Sequence, residues 1–461
     1  MKGIKYIGAL CLATVCLSAA KAQNLNSAYY LEGYNYRSQM NPAFGAEHSY
    51  FSVPGVGNLN VSMQGNIGLK NVLYPSADGM NTFMSSSVSA QEFLGGLHSK
   101  NKIVSNIKTN ILSAGFKGFG GFNTIALNVR ANVGANIPYE MFELMKQTTN
   151  KVYNINDFAV HTDAFAELAL GHSHQIGKNL RIGANLKFLL GGANIDAKLN
   201  DFRVELGEEE WKIVGHAQVD ASVKGLKYET ETSEYKSGRS YERVKKAEVK
   251  NTGLNGFGMA IDLGATYDLS DVVEGLSVNA AVLDLGFINW NNDMRAANEG
   301  DEFVFKGFSD VAVDDKGSAN SVGNQWDGVS DQLKEFAHLA DKGDQGSRSR
   351  MIAATINVGA NYVLPAYKKI SFGALSSTCV NRAYSWTEGR VSANWQPVKC
   401  IELSTSYALG TFGSSLGAVF NLHGKGWNLT LGTNHVIGEM SKECIPLNSR
   451  GSVTLGMSVP L

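Results

Sequence analysis

From Phe257 to Asp268 the chain alternates without a break. Phe257, Met259, Ile261, Leu263, Ala265 and Tyr267 fall on one face, and Gly258, Ala260, Asp262, Gly264, Thr266 and Asp268 on the other. Side chains of an extended chain point to opposite faces in turn, so a period of two with one apolar face specifies a strand. The same split recurs at Leu180–Gly191 and Ile352–Leu364, with further copies at Leu59–Leu69, Ile125–Ala135, Ile401–Leu409, Trp427–His435 and Val453–Leu461. These lengths cluster near the ~9–11 residues with which a tilted strand crosses a bilayer.

A soluble sandwich also alternates, but its solvent face usually carries charge. Here the polar face is built mainly from Gly, Ser, Asn and Thr, charged residues are only 18 % of the chain, and there are 50 glycines in 461 residues. Tyr267, Trp290, Tyr362, Trp386, Trp395, Tyr407 and Trp427 stand near strand ends, where aromatic girdles mark membrane interfaces. Loop lengths also alternate. Counting back from the C-terminus, the long stretch Val436–Arg450 is followed by a short turn at 423–426, and a short 396–399 by the longer 379–385. Outer-membrane barrels have short periplasmic turns and long external loops.

The N-terminus is consistent with export. Lys2 and Lys5 precede an apolar run from Ile7 to Ala20, and Ala20-Lys21-Ala22 is the small-x-small pattern cut by signal peptidase. Residues 1–22 therefore read as a signal peptide, 23–57 as an N-terminal lumen or periplasmic segment, and 58–461 as the barrel. After Gln23 no apolar run approaches the ~20 residues of a spanning helix. The 41 Lys and Arg nearly balance the 42 Asp and Glu, which gives no reason to expect a nucleic-acid partner. The expected fold is all-β, a transmembrane antiparallel barrel.

The strand count turns on one pair. Asp196, Lys198, Asp201, Arg203 and Glu205 put charge on both faces of 196–206, which is costly against lipid. If 196–206 and 211–223 form an external hairpin the wall has 14 strands; 16 stays open because Trp211, Ile213, Ala217, Val219 and Ala221 do alternate. Short helices are expected in external loops, at 141–146 after Pro138 and at 327–341, where Val329, Leu333, Phe336, Ala337 and Ala340 recur at helical spacing.

Met40-Asn41-Pro42-Ala43-Phe44, followed by Tyr50-Phe51-Ser52-Val53-Pro54-Gly55 and Gly57-Asn58-Leu59-Asn60-Val61, resembles the uncharacterised outer-membrane barrels of Bacteroidetes classed as a domain of unknown function. The Asn-Pro-Ala stretch is also similar to long-chain fatty-acid transporters and PorV-type barrels. Gly258-Met259-Ala260-Ile261-Asp262-Leu263-Gly264 and Asp284-Leu285-Gly286-Phe287-Ile288-Asn289-Trp290 fit the same resemblance. It implies 14 strands, an N-terminal segment tucked into the lumen and uptake of a hydrophobic solute. Asn41, Pro42 and Ala43 are the positions it carries over, and they look structural.

An ionisable group in a membrane barrel must find water or a partner, so inward charges are the leading site candidates. Arg130, Glu167 and Lys187 fall on three consecutive strands at similar height, and Asp262 joins them if the 196–223 hairpin stands outside the wall. Such a group is either an ion-pair network filling a narrow barrel or a constriction that meets a solute. His172 and His174 have the spacing of two metal ligands, but no carboxylate or cysteine completes a set, and they read as rim histidines. No metal or other cofactor is expected. Cys379 and Cys444, both assigned to external loops, are the pair that could form a disulfide; Cys400, at the opposite end, is expected to be free and buried.

These features point to a non-enzymatic barrel of the bacterial outer membrane, a pore or carrier for a small, hydrophobic solute. Its surroundings are outer-membrane lipid. The alternative is a structural or docking barrel whose loops at 69–110, 224–255 and 291–350 bind another envelope protein. A lipid hydrolase ranks third, because no exposed Ser, His and orienting group can be assembled from the sequence.

Overall fold

A computed structural model describes residues 24–76, 79–147, 149–207, 210–234, 238–298, 302–305, 339–436 and 450–461. Fourteen antiparallel strands close into one barrel. In chain order they are Asn58–Gly65, Lys100–Gly118, Gly121–Pro138, Phe158–Ile176, Leu180–Leu206, Gly256–Asp268, Leu276–Trp290, Ala354–Val363, Ile370–Val380, Trp386–Val398, Ile401–Gly410, Gly413–Gly424, Trp427–Thr433 and Arg450–Pro460. The last strand pairs with the first, through Asn58 opposite Gly456 and Gln64 opposite Arg450. Closure leaves no sheet edge in the wall, so backbone donors and acceptors are met around the ring.

Alternation sets which face is outside. On Gly256–Asp268 the residues Phe257, Met259, Ile261 and Leu263 are exposed, whereas Ala260 and Asp262 are buried. Val391, Tyr407, Leu416 and Leu431 continue the apolar outer band on later strands. Inside, the wall presents buried Asn60, Ser62, Asn110, Asn128, Asn185, Asn357, Ser404 and Asn421. Among the described residues no helix is long and apolar enough to cross a membrane.

Short turns gather at one end. Phe119 and Gly120 both have positive φ, 52° and 73°, the backbone of a two-residue hairpin turn whose twist suits the flanking strands. Lys399-Cys400 and Lys425-Gly426 are equally tight. The opposite end carries the long connections, with one exception that the alternation of loop lengths does not anticipate: Thr411-Phe412 joins two strands by two residues.

Asp196–Leu206 stands outside the 14-strand wall, as the upper continuation of Leu180–Leu206. It pairs with Trp211–Val223, which pairs in turn with Asp293–Ala297 and Glu302–Phe305. The strands Ala340–Asp344, Ser240–Val249 and Leu226–Glu234 widen this external sheet. Beside it the helices Ala90–Gly95 and Tyr139–Lys146 enclose an apolar cap around Phe83, Phe93, Phe142, Tyr153 and Phe158. Phe83 and Phe93 stack with centroids 4.2 Å apart.

Several expectations need correction. The loop read at 69–110 is shorter, because the wall strand begins at Lys100 and is 19 residues long, rising above the outer band. The expected helix at 327–341 lies outside the described residues except for its end, where Ala340 starts a strand. Cys400 is exposed rather than buried, since it sits in a two-residue turn with no wall behind it.

Candidate functional site

Two features occupy the lumen. The lower is the chain's own N-terminal stretch. Leu25, Ala28, Tyr29, Tyr30, Leu31, Tyr34, Tyr36, Met40 and Tyr50 are buried in one cluster with Phe122, Leu375 and Val419 of the wall. Five tyrosines in so short a stretch supply large apolar bodies, and their hydroxyls then need partners. Tyr29 donates to Asn279 Oδ1 at 3.0 Å, Tyr30 to the Ala374 carbonyl at 2.8 Å, Tyr34 to Asn58 Oδ1 at 3.1 Å and Tyr36 to the Met457 carbonyl at 2.8 Å. The segment thereby touches strands from opposite sides of the ring.

The wall makes room for it with glycine. A Cβ on Gly183 would collide with the backbone of Pro42, one on Gly264 with Asn41 and Pro42, and one on Gly373 with the Tyr30 ring. Asn41, fully buried, accepts from the Ala43 amide at 2.9 Å and donates to the carbonyls of Ala265 and Ala280 at 3.3 and 3.4 Å. This asparagine turn is what lays Pro42 and Ala43 against the two glycines.

Above the segment lies a charged layer. Arg130 Nη1 is 3.0 Å from Glu167 Oε2 and 2.8 Å from Asp284 Oδ1; Lys187 Nζ is 2.8 Å from Asp262 Oδ2 and 2.6 Å from the same Asp284 oxygen. The five groups form a chain of alternating sign, Glu167–Arg130–Asp284–Lys187–Asp262. Asn128 donates to Glu167 at 2.9 Å, Asn185 to Asp262 at 2.8 Å, and the Arg130 guanidinium lies 5.2 Å from the Phe165 ring centroid. Buried charges are stable only when paired and further hydrogen-bonded; every member of this chain is paired, and the two terminal carboxylates, Glu167 and Asp262, also accept from Asn128 and Asn185.

Arg130, Glu167, Lys187 and Asp262 are the four positions singled out from the sequence, and the structure brings them together. Pairing of Ala260 with Lys187, and of Asp262 with Asn185, makes their strands neighbours once the upper hairpin is outside the wall. Two members were missed. Strict alternation from Val278 turns Asp284 outward, but the ladder shifts register so that Leu283 and Asp284 together oppose Asp262. This bulge, with Asp284 at φ 61°, turns its carboxylate inward. The signal was present: Val278 and Val282 share one phase with each other, while Leu285 and Phe287 share the opposite one. Lys108 was missed because its strand was read as loop; it is paired with Arg130 and buried.

A cavity of about 70 Å³ opens beside this layer, lined by Asn24, Asn26, Lys108, Arg130, Asp284 and Trp386 among others. Cys379 also lines it, as a free thiol, whereas Cys444 lies outside the described residues. His172 and His174 sit beside the Phe119-Gly120 turn, with ring centroids 6.0 Å apart and His172 Nδ1 2.9 Å from Asn123 Oδ1.

At the mouth a second ionic group links wall and external sheet. His161 Nδ1 is 2.6 Å from Asp196 and its Nε2 3.0 Å from Asp163; Arg348 reaches Asp196 at 3.0 Å and Asp293 at 3.2 Å. Burial disfavours a charged His161, but the hydrogen bonds and negative charge of Asp163 and Asp196 outweigh it and push the imidazole up to about 9. Asp196, opposed by burial but held by His161, Arg348 and Arg350, titrates well below the usual carboxylate range. Asp196 stands sixteen residues beyond Leu180, roughly 40 Å along the barrel axis and above an apolar band of about 25 Å.

A family model matches residues 42–434, from the proline of the lumenal turn to the end of the penultimate strand. The chain belongs to DUF5723, a family of unknown function. No curated protein matches this DUF5723 sequence. Solved structures similar to the DUF5723 barrel include a TodX deltaS2S3 mutant monoaromatic hydrocarbon channel, at TM-score 0.42 and 9 % identity over 96 % of this chain and 95 % of that one. The Ralstonia pickettii toluene transporter TbuX matches at TM-score 0.42 and 8 % identity over 94 % and 98 %. The translocator domain of the autotransporter NalP from Neisseria meningitidis matches at 0.33 and 8 % over 90 % of each chain.

Proposed function

We propose that this DUF5723 chain is a non-enzymatic barrel of the bacterial outer membrane that works as a gated carrier for a small solute. The observation that carries the reading is the N-terminal segment seated in the lumen against Gly183, Gly264 and Gly373. A segment fitted to the wall in this way closes an open pore, so passage requires it to shift. Its aromatic and aliphatic body makes the path through the lower lumen apolar, which suits a small hydrophobic solute. The charged layer above is the constriction such a solute meets first from outside.

The test is refolding of the mature chain into planar bilayers and liposomes. The expected result is near-zero ionic conductance from a folded, heat-modifiable barrel, together with accumulation of a small apolar tracer faster than in protein-free liposomes. Large steady conductance, or no acceleration for any tracer, would sink the carrier reading.

A second reading rests on a different observation. The external sheet from Asp196–Leu206 out to Leu226–Glu234, beside an apolar cap with its own helices, is more structure than a carrier mouth requires. It supports a docking role toward another envelope protein. Deleting 226–249 separates the two, since a carrier keeps its flux and a docking barrel loses its partner.

A further inference from the structure

Lys108 is nine-tenths buried in the lumen, and among the described residues it makes no hydrogen bond or ion pair. An ammonium removed from water and left without acceptors is costly, and its three N–H groups need somewhere to go. The side chain lines the cavity of about 70 Å³, and Arg130 lines the same cavity from the next strand. Asp284 is the carboxylate on that lining, but its Oδ1 is already shared by Arg130 and Lys187. The rest of the lining is rich in amides, from Asn24, Asn26, Asn106, Asn132 and Asn357.

Within the layer the other two cations are each held by two carboxylates, Arg130 by Glu167 and Asp284 and Lys187 by Asp262 and Asp284. Among the described residues Lys108 is the cation of the layer without a direct partner.

We propose that this cavity binds one small monovalent anion, of halide or formate size, held by Lys108 with Arg130 and the surrounding amides. The anion gives the lysine the acceptor that the neighbouring side chains do not. Amide N–H groups complete its shell as they do for anions in other buried polar sites. Such a site can exist in a barrel that carries nothing, so its test reads binding and not flux.

Trp386 lines the cavity and is the reporter. The full mature chain in detergent is titrated with bromide replacing gluconate at constant ionic strength, and tryptophan fluorescence is followed. The expected result is a saturable quenching component above the linear collisional slope, absent from Trp386→Phe. In Lys108→Met its half-saturation should rise by about thirty-fold or more, the effect of truncating one side of a buried charge contact. Purely linear quenching in the unmodified chain, or a saturable component unaltered in folded Lys108→Met, overturns the proposal. Should Lys108→Met fail to fold, competition on the unmodified chain decides: loss of the saturable component when chloride or formate replaces gluconate at constant ionic strength supports the site, and a saturable component that neither anion displaces overturns it. Binding without tracer flux sinks only the carrier reading, and flux without saturable binding sinks only this one.

Discussion

Pro42 lies in the space that a side chain on Gly183 would fill, so the N-terminal segment and a wall strand some 140 positions away in the sequence are shaped to each other. Replacing Gly183 with leucine, or Gly373 with leucine beneath the Tyr30 ring, should unseat the segment while leaving the wall's hydrogen-bond ladder complete. Current through planar bilayers should rise from near zero to steady channel levels in either variant. Unchanged conductance with protease-resistant residues 24–49 would show that the segment tolerates the intrusion.

Arg130 holds two carboxylates at once, Glu167 and Asp284. Arg130→Ala leaves both buried with only Lys187 to share, and removal of one partner from a buried ion network costs about 3–5 kcal/mol. Adding Glu167→Gln to Arg130→Ala should recover part of that loss, because it removes the orphaned charge. Urea unfolding of the barrel in lipid, read by heat-modifiable migration, gives both numbers. Equal or greater loss in the double variant would mean the carboxylate is stabilised some other way.

His161 gives the mouth a pH dependence. Its folded pKa of about 9 lies above the unpaired value near 6.5. Its stabilising contribution is therefore complete below about 6.5 and is lost as pH rises through about 9. The groups that face it are Asp163 and Asp196, with Arg348, Arg350 and Arg382 on the same Asp196 and Tyr384 stacked at 6.5 Å. His161→Phe should unfold at the same denaturant concentration at pH 6 and pH 10, as far as this site is concerned, whereas the unmodified chain should be weaker at pH 10. Matching pH slopes in the two proteins would remove the histidine from the account.

Cys400 is exposed in the turn between two strands, and Cys379 is half-buried against the lumen cavity. A bulky maleimide added to folded barrel should label Cys400 within minutes and Cys379 only after unfolding, as mass spectrometry of the peptides would show. Rapid labelling of Cys379 would mean that the lumen admits reagents of that size.

Much of the wall was legible because alternation is a local signal. Phe257 to Asp268 declares its two faces within a dozen residues, and the charges on both faces of 196–206 are enough to lift that stretch out of the wall and leave fourteen strands. What escaped depends on a break in that period or on distance. Asp284 points inward only because a bulge reverses the phase between Val282 and Leu285. Lys108 belongs to a strand that continues above the apolar band, where alternation no longer has lipid to enforce it. Gly183, Gly264 and Gly373 read as ordinary small residues of a polar face, since the atoms that require them belong to Asn41, Pro42 and Tyr30. No window along the chain contains both halves of those contacts.

The lumenal stopper and the wall are one covalent object, joined where Tyr50–Ser52 enters the ring beside Pro460 and Gly115. A stopper on so short a tether meets its seat at an effective concentration on the order of millimolar or higher. Its return after any excursion is then a first-order event, independent of how much protein the membrane holds. On the proposed gating, opening would end itself, and a free peptide copy of residues 24–49 would compete for the seat only above that same concentration.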